Sequence, residues 1–485
     1  MRRAHLPLGM LRAFAILGFS LFLSIGCASA QTWTLSWSDE FNGTANSPIS
    51  PQDWQYDTGI LNVNNEVEYY CAPGSNTAPC NPSTPNAYID GTGHLVIQAL
   101  RISSSVAPYS GSWTSARLNS GNSLQSFQYG RIESSMALPT APGLWPAFWA
   151  LGTNITTVGW PASGEIDFME NVPLSGGLGP TAIRSTIHGG VSSGNCYCGG
   201  NGLGQSFTFP SSDPNGPDVT SFHTYGAIWS PNMVQFYVDD PANIFFVRTV
   251  NDLPSGFNWD FNHPFFLLLN LAVGGTGSWP GPPDNTTPSP ATMLVDYVRV
   301  YTSSSVPAPA MTAPSISVTA GQAGTSTVSL TGSAGSGRVY LSCSTDAPKA
   351  ACAISSSDSL NRYTVDFSSA SSATAMVSVN TTANTSAAAP LPGRLAFVTT
   401  MGVFATLLVP FRRKRTQTVA SAAGILFLLL IASCGSSGNG STGGGGGGSF
   451  SGTPPGNYTI SLSAYTVSNT TGSPDQTLSI PLIVN

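Results

Sequence analysis

The sequence has few charged residues and lacks the basic clusters that bind a phosphate backbone. Only 8% of its 485 residues are charged, and the formal net charge is -6. A nucleic-acid-binding face needs clustered Lys and Arg. The one dense basic run, Arg412-Arg413-Lys414-Arg415, lies between two apolar stretches. We therefore expect no nucleic-acid partner.

Helical periodicity is also missing from residues 31–302. Short alternating or apolar runs such as Val234-Gln235-Phe236-Tyr237-Val238 recur there, separated by Gly, Pro, Asn and Ser. The 52 Gly, 37 Pro and 10% aromatic residues also suit strands and turns better than helices. Many short strands with turn signals predict an all-β fold, a sandwich or barrel, for this first domain.

Composition divides the remaining residues. A Ser-, Pro- and Ala-rich linker at 303–314 precedes a Ser/Thr-rich segment with period-2 patches at 315–388, which predicts a small immunoglobulin-like β domain. An apolar hairpin at 395–434, a Gly/Ser linker at 435–455 and alternating residues at 456–485 follow. The last segment is a candidate for the final strands of the immunoglobulin-like domain, with the hairpin inserted between them.

The first 30 residues resemble an export signal. Arg2 and Arg3 precede an apolar run, and Ala28-Ser29-Ala30 forms a small-residue cleavage site. Cleavage after Ala30 would give an exported protein that is extracellular, periplasmic or on the cell surface. A membrane anchor and a lipid-anchored Cys27 are the alternatives.

The 395–434 hairpin predicts membrane attachment. By the positive-inside rule its basic loop, 412–415, stays in the cytoplasm, which leaves the first domain and the C-terminal tail outside. Two other interpretations stay open. The apolar runs could be core strands of the neighbouring domain, or the segment ending at Cys434 could mimic an internal lipoprotein signal.

The eight cysteines fit an oxidising compartment. Cys71 and Cys80 bracket a short loop, as do Cys343 and Cys352, so both pairs predict local disulfides. Cys196 and Cys198 are too close in sequence for an easy mutual bond. We expect a different loop disulfide or free thiols there, because no His or Cys cluster completes a metal site nearby.

Three carboxylates are concentrated in the stretch Gly164-Glu165-Ile166-Asp167-Phe168-Met169-Glu170-Asn171. Side chains alternate along a strand, so Glu165 and Asp167 share one face. Glu170 joins that face only if a one-residue bulge occurs at Phe168-Met169. Such a spacing puts the carboxyl groups roughly 5–7 Å apart.

Neighbouring carboxylates raise each other's pKa, which separates an ionised nucleophile from a protonated acid. Glycoside hydrolysis needs that pair. A solvated acidic strand or a Ca²⁺ site is the alternative. Trp145, Trp149 and Trp160 favour the sugar site, since indole faces stack on pyranose rings.

The run from Trp160 to Glu170 resembles the signature of glycoside hydrolase family 16, in its laminarinase-like branch. Other segments resemble the family in the expected order: Trp37-Ser38-Asp39-Glu40-Phe41-Asn42-Gly43, Asn64-Asn65-Glu66-Val67-Glu68-Tyr69-Tyr70, Thr114-Ser115-Ala116-Arg117-Leu118, Tyr129-Gly130-Arg131-Ile132-Glu133, Phe222-His223-Thr224-Tyr225, Leu268-Leu269-Asn270-Leu271-Ala272-Val273-Gly274-Gly275 and Val295-Asp296-Tyr297-Val298-Arg299-Val300-Tyr301. The resemblance covers about residues 33–301.

The resemblance implies a β-jelly-roll whose concave face is a glycan cleft, and no catalytic cofactor. It implies Glu165 as nucleophile, Glu170 as acid/base and Asp167 as the partner of Glu165. The three tryptophans would line the cleft, with Asn64 and Arg117 as polar contacts. His188 matches the family's histidine on the next strand, as a cleft or a structural residue, although Gly189 replaces the aromatic residue that usually follows it.

The resemblance also implies a structural Ca²⁺ held by Glu40, Asp296 and a backbone oxygen at Gly93, with two ordinary surface acids as the alternative. Its functional implication is a retaining endo-β-glucanase acting on β-1,3- or mixed β-1,3/1,4-glucan. The alternatives are a non-catalytic glucan-binding surface protein, a transglycosylase and an enzyme acting on a galactan.

Overall fold

The computed structural model describes residues 31–103, 111–198, 203–384 and 451–485, which form two β-sandwich units. The predicted signal peptide, the hairpin at 395–434 and nearly all of the linker at 435–455 lie outside the described residues. Among the helices of the described residues, none combines the length and the apolar character needed to cross a membrane.

The first unit contains eighteen strands. They are β1 (Trp33–Asp39), β2 (Gln55–Asp57), β3 (Glu68–Tyr70), β4 (Ala87–Ile89), β5 (Leu95–Arg101), β6 (Trp113–Ser115), β7 (Arg117–Asn119), β8 (Gly130–Ala137), β9 (Leu144–Gly152), β10 (Glu165–Glu170), β11 (Ala182–Ser192), β12 (Asn195–Tyr197), β13 (Gln205–Thr208), β14 (His223–Ser230), β15 (Met233–Val238), β16 (Ile244–Thr249), β17 (Phe265–Val273) and β18 (Ala291–Ser303). Short helical turns are α1 (Gly121–Leu124), α2 (Ile155–Val158), and two 3₁₀ turns, Leu174–Gly176 and Val250–Asp252.

Two sheets stack face to face in this unit. The cleft sheet has the order β12-β11-β10-β9-β17-β7-β2, with β13 beside β11. The back sheet has the order β16-β15-β14-β8-β18-β5-β6-β3, with β1 beside β18 and β4 beside β5. This two-sheet sandwich confirms the all-β fold class.

Strand β17 shows how the sequence builds the layers. Its residues are buried on both faces, so it has a continuous apolar run rather than an alternating one. Phe265, Leu267 and Leu269 point into the core between the sheets. Phe266 and Leu268 point the other way, where Trp149 covers them. The cleft floor is therefore fixed by packing on both sides.

The second unit has nine strands in two sheets. They are β19 (Ala310–Thr312), β20 (Ile316–Val318), β21 (Ala323–Thr331), β22 (Arg338–Thr345), β23 (Ala351–Ser356), β24 (Thr364–Asp366), β25 (Ser372–Asn380), β26 (Gly456–Tyr465) and β27 (Gln476–Val484). One sheet has the order β19-β21-β25-β23, and the other β20-β27-β26-β22-β24. The tail strands β26 and β27 thus lie inside the second sheet, and β19 forms within the predicted linker because Met311 fills the core.

The second unit packs against the back sheet of the first, on the side away from the cleft. Tyr340 and Val467 join an apolar cluster with Ile228, Met233 and Val247 of strands β14 to β16. Polar contacts flank this cluster: Asn251 Nδ2 donates to Tyr340 Oη at 2.9 Å, and Asn361 Nδ2 donates to Asp252 Oδ2 at 2.7 Å. The two units therefore bury a shared interface.

Three disulfides are present among the described residues. Cys71–Cys80 and Cys343–Cys352 form as the spacing predicts. Cys196 and Cys198 are bonded to each other, so the expectation of another pairing or free thiols is wrong. The register of β12 with β11 shifts next to Cys196, and the two Cα atoms lie 5.3 Å apart, within disulfide range.

Candidate active site

The candidate catalytic strand, β10, contains the bulge that its acidic spacing requires. Its register with β9 shifts between Asp167 and Met169, and its register with β11 shifts between Asp167 and Glu170. Ile166, Phe168 and Met169 all join the hydrophobic core. The bulge returns Glu170 to the face of Glu165 and Asp167, and all three carboxylates line one cleft of about 950 Å³.

Two tryptophans hold the two glutamates. Trp160 Nε1 donates to Glu165 Oε2 at 2.9 Å, and Trp145 Nε1 donates to Glu170 Oε1 at 3.0 Å. Trp160 is 43% exposed, so its ring is also free to contact a ligand. Each indole fixes one carboxylate oxygen and leaves the other oxygen for chemistry in the cleft.

His188 faces the same carboxylates from strand β11, where it is paired with Glu165. Its Nε2 lies 2.9 Å from Asp167 Oδ2 and 3.8 Å from Glu165 Oε1. Gly189 is covered from the neighbouring strand: a Cβ there would lie 2.1 Å from Tyr197 Oη. Tyr197 therefore occupies the space that a side chain at position 189 would need.

Burial raises the pKa of all three catalytic-strand carboxyls well above the ordinary range. The negative charge of Asp167 raises the pKa of Glu165 and Glu170 further, whereas the positive charge of protonated His188 would lower it. A hydrogen bond with Glu165 partly offsets the rise at Asp167. The site therefore favours the protonated forms of these carboxyls. One carboxyl can then act as an acid while a neighbouring one is ionised and acts as a base.

Asn64, Arg117 and Trp149 lie further along the cleft, as the resemblance implies. Arg117 Nε donates to Asp57 Oδ2 at 2.8 Å, and its guanidinium stacks over Trp149, 4.6 Å from the ring centroid. Asn64 Nδ2 donates to Glu66 Oε1 at 3.1 Å. Every catalytic and substrate-binding residue predicted from the sequence lines this one cleft.

The cleft also contains polar and aromatic residues that were not predicted as site residues, among them Glu66, Arg184, Asn270 and Trp279. Asn270 Oδ1 accepts a hydrogen bond of 2.7 Å from Trp149 Nε1. Trp279 meets Trp145 edge-on, with ring centroids 5.6 Å apart. Only Asn270 had a clear sequence signal, because it is the single polar residue in the apolar run of β17.

The predicted calcium ligands, Glu40, Gly93 and Asp296, lie outside the cleft. Both oxygens of Glu40 accept hydrogen bonds from Arg299, at 2.9 and 2.7 Å, and these bonds lower the pKa of Glu40. Asp296 is half-buried on β18, and Gly93 lies in a turn with a φ of +100°. A carboxylate already neutralised by Arg299 does not fit a Ca²⁺ ligand, so the calcium site stays a prediction that these contacts do not favour.

Comparison with known proteins identifies the family. The family described as "Glycosyl hydrolases family 16" matches residues 83–299. A β-glucanase of Rhodothermus marinus is 34% identical over 58% of this chain and 93% of its own length. The glucan endo-1,3-β-glucosidase A1 of Niallia circulans is 35% identical over 55% of this chain, but the chain spans only 37% of that relative.

A solved structure, of an endo-β-1,3-glucanase from Pyrococcus furiosus, is 38% identical, covers 56% of this chain and 95% of that one, and has a TM-score of 0.47. The match over nearly the full length of the Rhodothermus marinus relative, together with the family match, shows that the chain belongs to glycosyl hydrolases family 16.

Proposed function

We propose that this protein is a retaining endo-β-glucanase that hydrolyses β-1,3- or mixed β-1,3/1,4-glucan. The observation that carries the proposal is the pair of glutamates on one bulged strand, each held by a cleft tryptophan. The names of the glucanase relatives support the substrate class.

In the proposed reaction Glu165 attacks the anomeric carbon and Glu170 protonates the leaving oxygen. The Glu165 ester carries no negative charge, so the pKa of Glu170 falls and Glu170 accepts a proton from the incoming water. That water then releases the sugar with its configuration retained. The indole N–H of Trp160 limits rotation of Glu165, because it holds the oxygen that does not attack.

A non-catalytic glucan-binding role is the second class of function. A binding protein gains nothing from three mutually repelling carboxylates that are buried or half-buried, because their desolvation costs free energy. The carboxylate set therefore favours catalysis. The same cleft could also serve a transglycosylase, which would transfer the sugar to an acceptor other than water. It could also act on a galactan, which would differ from glucan hydrolysis in the substrate.

The test is the release of reducing ends from laminarin, lichenan and agarose by the wild-type protein, with Glu165→Gln and Glu170→Gln as matched controls. We expect oligosaccharides from laminarin, with the β-anomer formed first in the proton NMR spectrum, and none from either control. Binding of laminarin without reducing ends would support the glucan-binding role, and cleavage of agarose alone would support a galactan substrate.

We further propose that the protein acts outside the cytoplasm, which its three disulfides support. Membrane attachment through 395–434 stays a prediction about residues outside the described part. Cell fractionation tests it: full-length mature protein found entirely in the soluble fraction would contradict the hairpin.

A further inference from the structure

The side chains around the proposed nucleophile are also a set of metal ligands. Glu165 and Asp167 are two positions apart on β10, and His188 is paired with Glu165 on β11. One ligand atom from each of the three residues lies within 4.8 Å of the others. We propose that Glu165, Asp167 and His188 bind a divalent transition-metal ion of the Zn²⁺ type, which reversibly blocks the cleft.

The distances suit a tetrahedral ion after a small adjustment. Bonds of about 2.0 Å at tetrahedral angles separate neighbouring ligand atoms by about 3.3 Å. The separations from His188 Nε2 are 2.9 Å to Asp167 Oδ2 and 3.8 Å to Glu165 Oε1, one below that value and one above it. Side-chain shifts of about 0.5 Å would meet the requirement. Because adjacent strands hold all three residues, the ligands are already assembled.

An independent observation points to a missing partner at this place. The Asp167 residue is only 3% exposed, yet its Oδ2 accepts no hydrogen bond, although His188 Nε2 lies 2.9 Å away. A buried carboxylate oxygen without a hydrogen bond is costly, and a cation bound between Asp167 and His188 would satisfy it. His188 Nδ1 also has no hydrogen-bond partner, although metal-binding histidines usually donate through their second nitrogen. We therefore expect weaker binding than at a structural zinc site.

The cleft supplies both access and an open position. Trp160 holds Glu165 Oε2, so Oε1 is the oxygen that remains for the ion. A water molecule or a sugar hydroxyl from the cleft would complete four ligands. A set of one imidazole and two carboxylates suits Zn²⁺ or Cu²⁺ better than Ca²⁺, which takes six to eight oxygens.

A second set, Asp213, His223 and Asp239, lies away from the cleft and is the competing location. There Asp239 Oδ2 already pairs with His223 Nδ1 at 2.9 Å, and Asp239 Oδ1 accepts the Thr224 amide at 2.9 Å. An ion held by Asp239 Oδ2 and His223 Nδ1 would have to replace this hydrogen bond to a fully buried imidazole, whereas Asp167 Oδ2 in the cleft set makes no hydrogen bond. The cleft set is therefore favoured, and Asp213 provides a control variant.

The test is calorimetric titration of ZnCl₂ into the full-length protein without substrate. We expect one ion per chain for the wild type, Glu170→Gln and Asp213→Asn. Asp167→Asn and His188→Gln should weaken binding at least about tenfold. The isosteric Asp167→Asn keeps the test valid if His188→Gln does not fold, and circular dichroism checks each variant. Zinc binding that Asp167→Asn leaves unchanged, loss of binding in Asp213→Asn, or no binding by the wild type would each overturn the proposal.

The blocking effect rests on the proposed hydrolysis and has its own measurement. Zn²⁺ should raise the apparent KM for laminarin without changing kcat, EDTA should reverse this, and Ca²⁺ should have no effect. Zinc bound at the cleft residues without any effect on KM would contradict the blocking. A protein that binds Zn²⁺ there but never releases reducing ends would contradict the proposed function alone.

Discussion

Asp167 acts on both proposed catalytic glutamates through its charge. Burial is the main cause of their raised pKa values, and Asp167 is the next cause for each. Removing this charge lowers both pKa values. In Asp167→Asn the acidic and the alkaline limbs of the plot of kcat/KM against pH should therefore both move to lower pH. We expect kcat to fall about 10²-fold, because a neutral amide also replaces the carboxyl group that shares a hydrogen bond with Glu165. A profile measured on laminarin checks this, and limbs that stay in place or move to higher pH would contradict it.

Glu170 should cost the protein stability at neutral pH. Its folded-state pKa is raised, first by burial and then by Asp167, so the fold prefers the protonated form. The stability of that form is fully present below the unfolded pKa and is lost as the pH rises through the raised folded pKa. Glu170→Gln cannot ionise and should melt about 2–4 °C higher at pH 8. Scanning calorimetry at pH 8 and at about pH 3.5, where the two proteins should converge, checks this. A variant that melts lower at pH 8 would contradict it.

The residues that the sequence could identify are those whose types and spacing are unusual on their own. Three acids among apolar neighbours predicted the candidate catalytic strand, and the nearby tryptophans predicted the cleft. Trp279 could not be found this way, because its approach to Trp145 depends on a loop far along the chain. Arg184 is similar: it becomes a site residue only through its pairing with Glu170 across the two strands.

Among the elements, β10 was predicted in detail and β12 was not. The bulge in β10 follows from sequence, since only an extra residue puts Glu170 with the other acids while Phe168 and Met169 stay in the core. In β12 the sequence spacing suggested that Cys196 and Cys198 would not bond. The local backbone geometry nevertheless brings the two cysteines within bonding distance, and this geometry cannot be predicted from the spacing alone.

Strand β12 should matter mainly because it supplies Tyr197. This ring is 4% exposed and covers Gly189, and its hydroxyl donates to Asp260 Oδ2 at 2.9 Å. Tyr197→Ala removes a buried ring and should destabilise the protein by about 3 kcal/mol. Tyr197→Phe loses only the hydrogen bond and should cost about 1 kcal/mol. Urea denaturation of the two variants gives the comparison, and equal losses would show that the ring does not support the strand.

The second unit should stabilise the first without affecting catalysis. It covers Ile228, Met233 and Val247 on the back sheet, whereas the cleft lies on the other sheet. A chain that stops after residue 304 should therefore melt lower and aggregate more readily, because that apolar patch is exposed. Its kcat/KM on laminarin, measured below the melting transition, should stay close to that of the full chain.

Tyr340→Ala is the matched control, since it weakens the same interface in the intact chain. It should lower the melting temperature by less than the truncation does. A large loss of kcat/KM in either protein would contradict the separation of roles. The sequence could not predict this interface, because its members come from β14 to β16 and from Tyr340 and Val467 much later in the chain, and only the folded units bring them together.

Azide rescue distinguishes the proposed roles of Glu165 and Glu170. With an activated aryl β-glucoside oligomer, Glu165→Ala leaves a space where azide attacks the anomeric carbon directly, so the product should be the inverted α-glycosyl azide. Glu170→Ala still forms the glycosyl-enzyme, which azide then opens to the retained β-glycosyl azide. Proton NMR distinguishes the two anomers. We expect this pair of products; the reverse pair would exchange the two roles, and full laminarin hydrolysis by either variant would show that neither role is correct.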